Sequence, residues 1–237
     1  MLFRSRPRTP RGRTRFNVQQ FQFAVQGDVQ YVTATGDPLI RQWDFTVFQA
    51  NLQSQEQLQI HVIPTYEKLD RPFTLGYGIG QSAVLPRGTE ASYNRFRVQF
   101  RTADRRKLAV TTNLETGSFY TGSRDQLSFD VGIRPRRGIV LYLYSEWNKL
   151  DLAQKQFTTK LYRAVLDTQF NPWVSIANNI QYDSASRLLG WQARFRWIVK
   201  PGNDIYWVMQ NNWIDTGAKL VMSDRSMATK IVYTYRF

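Results

Sequence analysis

From Gln20 to the last residue the chain alternates polar and apolar side chains with a period of two, and helical spacing is nearly absent. The cleanest stretch sets Leu189, Trp191, Ala193, Phe195, Trp197 and Val199 on one face against Gln192, Arg194, Arg196 and Lys200 on the other. Side chains of an extended strand point to opposite faces in turn, so slipping this segment by one residue would exchange its whole apolar set for its charged one. The register is therefore strongly specified. The same pattern sets Phe96, Val98 and Phe100 against Arg95, Arg97, Gln99 and Arg101, and Leu127, Phe129, Val131 and Ile133 against Ser128 and Asp130. It also sets Leu58, Ile60 and Val62 against Gln57, Gln59 and His61.

Read along the chain, the alternation predicts twelve strands, at 18–34, 39–52, 55–67, 92–103, 106–115, 125–134, 138–149, 156–169, 173–183, 187–200, 203–213 and 226–237. Each is long enough to cross a bilayer as a tilted strand of about 9–11 residues. Connections after even strands read as tight: the turn at Ser54, then Ala103-Asp104-Arg105, Pro135-Arg136-Arg137, Asn171-Pro172 and Pro201-Gly202. The three longest connections, 68–91, 116–124 and 214–225, all follow odd strands. Short turns at one end and long loops at the other are the pattern of bacterial outer-membrane barrels. The fold expected is an all-β, antiparallel transmembrane β-barrel with short periplasmic turns, longer extracellular loops and both termini in the periplasm.

Composition fits this reading. Hydrophobic residues make up 42% of 237, and nothing approaches the ~20 consecutive apolar residues that a membrane-spanning helix requires. Seven Trp and twelve Tyr suit interfacial girdles; Trp43, Trp147, Trp173, Trp191, Trp197, Trp207 and Trp213 are the candidates. Trp191 and Trp197 share the apolar edge of one strand, while the others sit nearer strand ends. With no Cys, thiolate catalysis and thiolate metal sites are excluded. The net charge is +14, and Arg4, Arg6, Arg8, Arg11, Arg13 and Arg15 concentrate six of the charges before any acid. Residues 1–17 therefore read as an Arg- and Pro-rich extension, disordered by itself, and residues 18–237 as the barrel. The chain ends on Ile231, Tyr233, Tyr235 and Phe237 on one face, which reads as the C-terminal signal recognised by outer-membrane assembly machinery.

Residues from about 20 onward resemble the C-terminal barrel of an envelope-protein family, domain of unknown function 5916, in which a family-9-like carbohydrate-binding module precedes a β-barrel. Tyr66-Glu67-Lys68-Leu69 with Pro72-Phe73, Gly117-Ser118-Phe119-Tyr120-Thr121-Gly122 and Phe157-Thr158-Thr159 carry the resemblance, and above all the stretches Asn179-Ile180-Gln181-Tyr182-Asp183 and Arg194-Phe195-Arg196-Trp197-Ile198-Val199-Lys200-Pro201-Gly202-Asn203-Asp204. The resemblance implies an outer-membrane barrel and supplies no catalytic residue. The carbohydrate-binding module of that family is not expected among these residues, and twelve strands are expected either to close alone or to belong to a larger barrel.

The residues that could carry chemistry are few. His61 is the only His, and a hydrolytic triad would need a nucleophile and an orienting acid beside it, which Gln57 and Gln59 do not provide. Asp44, Asp130, Asp167 and Asp183 lie on polar strand faces without a shared motif and read as partners of lumen Arg. No catalytic, cofactor or metal site is assigned. A basic lumen face of Arg95, Arg97, Arg101, Arg163, Arg194, Arg196 and Lys200 would favour anions if the barrel conducts. The first functional reading is a non-enzymatic membrane anchor, scaffold or subunit of an envelope assembly, surrounded by membrane lipids and lipopolysaccharide. Residues 1–15 would dock a protein partner or a missing N-terminal barrel segment. The alternatives are a passive pore with a basic, anion-leaning lumen and a soluble basic β-protein binding nucleic acid.

Overall fold

A computed structural model describes residues 2–5, 17–31, 36–75, 83–153 and 155–234, and among them all regular structure is strand or turn. The strands are β1 (Leu2–Ser5), β2 (Val18–Tyr31), β3 (Pro38–Leu52), β4 (Gln57–Lys68), β5 (Phe73–Leu75), β6 (Ala83–Leu85), β7 (Glu90–Arg101), β8 (Leu108–Phe119), β9 (Gly122–Arg136), β10 (Ile139–Leu152), β11 (Lys155–Asn171), β12 (Val174–Asp183), β13 (Leu188–Lys200), β14 (Asn203–Asp215) and β15 (Leu220–Val232). All but β5 and β6 form one antiparallel meander in chain order, and those two form a separate hairpin. The twelve long strands match the twelve expected from alternation. Among the described residues the sheet is not closed: β1 pairs only with β2, and β15 only with β14. The short strand β1 extends the sheet beyond β2, Leu2 pairing with Gln26 and Ser5 with Phe23, whereas Arg6, Arg8, Arg11, Arg13 and Arg15 lie outside the described residues.

Residues paired across strands share a face, so the register sorts the sheet. One row runs Thr46, His61, Arg97, Glu115, Gln126, Asn148 and Thr159 across β3 to β11, every member polar. On the opposite face Phe48, Ile60, Val98, Leu114, Leu127 and Trp147 form a row. Another runs Ile133, Leu141, Leu166, Asn178, Ala193, Met209 and Met227. Backbone alternation thus becomes two chemically distinct surfaces, one polar and one apolar.

The expected sorting of loops by length does not hold. Of the three long loops, only the segment after β4 is long, and it contains the β5–β6 hairpin. The stretch 116–124 is two paired strands joined by a turn at Tyr120 and Thr121, with Ser118 opposite Ser123 and Phe119 opposite Gly122. Its Gly and Ser residues read as loop, but Phe119 is buried and anchors the strand to its end, and Tyr120 takes the left-handed φ of 46° that the tight turn needs. The stretch 214–225 is likewise mostly strand. Gly217 at φ 85° turns the chain, the Thr216 amide donates to the Lys219 carbonyl, and β15 begins at Leu220 instead of 226. A register shift between Asn212 and Trp213 interrupts the pairing there, and the polar run Ser223 to Ser226 hides the strand from a reading based on alternation.

Candidate functional site

The polar face is densest where β3, β4, β7 and β8 meet. His61 pairs in register with Thr46, which places Asp44 on the same face two residues along β3. The His61 Nδ1–H donates to Asp44 Oδ1 at 2.6 Å, Thr46 Oγ1 lies 3.4 Å from the same nitrogen, and Nε2 meets the Gln59 carboxamide oxygen at 3.1 Å. The orienting acid that the His lacks in its own strand thus comes from the neighbouring one. Among the described residues no hydroxyl is bonded to Nε2, where a triad nucleophile would sit, and Gln59 stands there.

Beside this group Glu115, only 5% exposed, accepts from two guanidinium groups: Arg95 Nη1 at 3.0 Å and Arg97 Nη2 at 2.7 Å. Arg97 also lies 3.6 Å from Asp44, and Arg95 Nη2 donates to Gln42 at 3.1 Å. A buried carboxylate must be paired and bonded to remain charged, and these two Arg supply the pairing. The network ties β3, β4, β7 and β8 together through side chains alone.

The remaining basic positions divide differently. Arg101 bridges to Asp104, and Arg196 to Asp204 at 3.0 Å. Arg163 donates to Asn179 at 2.9 Å and has no acidic partner among the described residues; Arg194 is exposed on the polar face, opposite Ala177. Lys200 sits past a register shift at the end of β13. Of the acids, Asp44 joins the His61 group, and Asp183 accepts from the Ala185 amide and the Ser186 hydroxyl, holding a turn instead of an Arg. Asp130 and Asp167 form no salt bridge among the described residues; with Arg163, Tyr142 and Tyr144 they border a cavity of about 520 Å3.

The apolar face carries the aromatic candidates. Trp43, Trp147, Trp191, Trp197, Trp207 and Trp213 all fall on it, paired respectively with Gly27, Leu127, Ile180, Val174, Phe195 and Leu189, while Trp173 lies in the turn between β11 and β12. Trp43, Trp147 and Trp207 sit well inside their strands, not near the ends. Trp147 packs edge-on between Phe129 and Tyr162, with centroids 6.0 Å apart on each side. Of the C-terminal set, Ile231 and Tyr233 are 72% and 71% exposed, and Tyr235 and Phe237 lie outside the described residues.

The feature that alternation does not reveal is the β5–β6 hairpin. Ala83 packs into a buried cluster with Tyr93, Phe119, Leu150, Leu152 and Phe157, with Leu75 against its rim. Register places the five sheet residues of that cluster on the polar face, at the end of the strands where β8 turns into β9 and β10 into β11. The hairpin therefore folds inward over one mouth of the polar face. The only signal in the sequence is the pair of apolar triplets Phe73-Thr74-Leu75 and Ala83-Val84-Leu85, each too short to read as a strand. At the other end Arg106, in the β7–β8 turn, pairs with Glu56 in the β3–β4 turn, and Ser54 donates to the same carboxylate. The Ser54 hydroxyl first, and Arg106 after it, hold the Glu56 carboxyl below the usual carboxylate range.

Comparison of the chain with protein-family models, with curated proteins and with solved structures finds no match.

Proposed function

We propose that the chain is the wall of an outer-membrane β-barrel that acts as a non-enzymatic anchor, scaffold or subunit of an envelope assembly. One observation carries the reading: the sheet's apolar face is open to its surroundings along its whole width, while its polar face holds the ion-paired network of β3, β4, β7 and β8. Phe96 is 52% exposed, Leu114 49%, Ile180 46% and Trp197 45%, on four different strands. A contiguous apolar surface of this extent is a liability in water and an asset in lipid. Strands of 10 to 17 residues from β8 to β15 are long enough to cross the hydrocarbon layer, for which about 9–11 residues suffice.

The open edges define the rest of the proposal. Unpaired backbone groups are not viable in hydrocarbon, so β15 and the β1–β2 edge must pair with each other, with further strands of a longer protein or with a partner. The resemblance to the barrel of domain of unknown function 5916 points to the same setting, with lipid and lipopolysaccharide around the apolar face and both ends of the strand meander in the periplasm. Twelve antiparallel strands bring Val18 and Val232 to the same end of the sheet, consistent with that placement. A passive pore is the second reading, favoured by Arg163 and Arg194, which have no acidic partner on the polar face among the described residues.

Membrane fractionation and gel migration test the main reading. The protein is expected to require detergent for extraction and to migrate differently before and after boiling. Full solubility in buffer without detergent would overturn it and leave the nucleic-acid-binding alternative in place.

A further inference from the structure

Beneath the β5–β6 hairpin lies a cavity of about 480 Å3, within the range of small-molecule sites. Its apolar walls are Phe73 and Leu75 of the hairpin and Phe119, Leu150 and Phe157 of the sheet. Arg124 is the one cation that borders it among the described residues. The Arg124 Nε donates to Asn148 at 3.1 Å and Nη2 donates to Gln126, both neutral amides, and its guanidinium carbon stands 5.9 Å from the Phe119 ring centre. A guanidinium has five N–H donors, so most of its capacity is unspent, and it forms no ion pair among the described residues.

The acids nearby are committed elsewhere. Glu115 is held by Arg95 and Arg97, and Glu146 accepts from Tyr144 and, at 2.6 Å, from Asn148. Asp183, the one acid lining the cavity, spends both oxygens on its own turn. A guanidinium with no ion partner among the described residues, set between these apolar walls and the polar Asn148, Thr159 and Ser186, matches a ligand that joins one anionic head to an apolar body, because Arg pairs bidentately with a carboxylate while the rings and Leu side chains cover the tail. The geometry points to a binding site for a single-chain anionic amphiphile, of the size of a medium-chain carboxylic acid, with Arg124 on its carboxylate and the hairpin closing over its chain. The site needs only the sheet and its hairpin, so it stands apart from the membrane reading.

Calorimetric titration of the purified full chain with octanoate, octanol and acetate, in non-ionic detergent and against a detergent blank, tests it. Octanoate is expected to bind at one site per chain, with octanol and acetate each weaker by about tenfold or more. Arg124→Gln is expected to lower octanoate affinity by about tenfold or more and Arg124→Lys by less, because Lys keeps the charge but not the paired donors, circular dichroism confirming the β signature of each. Equal binding of octanol and octanoate, or unchanged affinity in a folded R124Q, overturns the proposal. Should R124Q not fold, Thr159→Glu decides: Thr159 lines the cavity and pairs in register with Asn148, which accepts from Arg124, so a carboxylate there would occupy the guanidinium and abolish octanoate binding. Unimpaired binding in a folded T159E overturns the proposal equally.

Discussion

Up to Phe157 the polar face of the sheet is repeatedly buried; beyond it the one buried residue among those described, Asn211, pairs with Trp191 and so lies on the apolar face. The two regions are built from the same kind of alternating strand, so backbone pairing does not account for the difference. What covers the polar face does. In the first region long charged side chains fold across their neighbours, as Arg95 and Arg97 do over Glu115, and the β5–β6 hairpin caps one end. In the second many positions hold the shorter, uncharged Asn179, Gln181, Gly190, Gln192, Gln210 and Asn212, and the charged ones, Arg163, Arg194 and Arg196, cover no carboxylate as buried as Glu115. The last strand, β15, is exposed at nearly every position. A two-faced sheet acquires an interior only where something crosses its polar face, and the C-terminal strands depend on what surrounds them.

The sharpest way to break this contrast is to remove the carboxylate at the centre of the first region. Glu115→Ala leaves two guanidinium groups in a partly buried site without their shared partner, and breaking a buried pair in this way costs about 3–5 kcal/mol. Denaturant unfolding should show a loss of that size. A loss under about 1 kcal/mol would mean that the network is solvated and the first region no better held than the second.

Truncation of matched apolar residues compares the regions directly. Leu85 of the hairpin is 5% exposed, and Leu85→Ala is expected to cost about 2–4 kcal/mol through lost burial and the cavity left behind. Met227 of β15 is 67% exposed, and Met227→Ala should fall within about 0.5 kcal/mol in detergent. Equal effects on the unfolding midpoint would erase the distinction. A large effect at Met227 in lipid but not in detergent would sharpen it, by locating the missing contacts of β15 in the bilayer or in a partner strand.

How much of this was legible in the sequence follows from what alternation encodes. A period of two identifies strands and their faces, so the faces on which His61, Arg97 and Phe96 lie are readable residue by residue. It carries no information about which strand pairs at which height, so Asp44 beside His61, seventeen positions away, and Glu115 between two Arg emerge only from the register. Glycine, serine and threonine around 116–124 and 216–217 mark a turn without saying that pairing runs up to it, and two loops were therefore drawn too long. The hairpin escaped because three-residue strands show no period, and with it went the cavity at Arg124.

The mildest perturbation probes the end opposite the hairpin, where Glu56 joins two turns through Ser54 and Arg106. Its carboxyl is held below the usual range by the Ser54 hydroxyl first and by Arg106 after it. A depressed folded value means that the stabilisation is present above the unfolded carboxylate pKa, about 4.3, and is lost as pH falls through the folded value. Unfolding midpoints of the wild type and Glu56→Gln should therefore differ slightly at neutral pH and converge in acid. The Arg106 side chain is half exposed and salt screens the pair, so the difference should also shrink as ionic strength rises. A gap that persists unchanged in acid would show that the turn holds Glu56 through something other than its charge, and that this end of the sheet owes its order to the same buried packing found at the other.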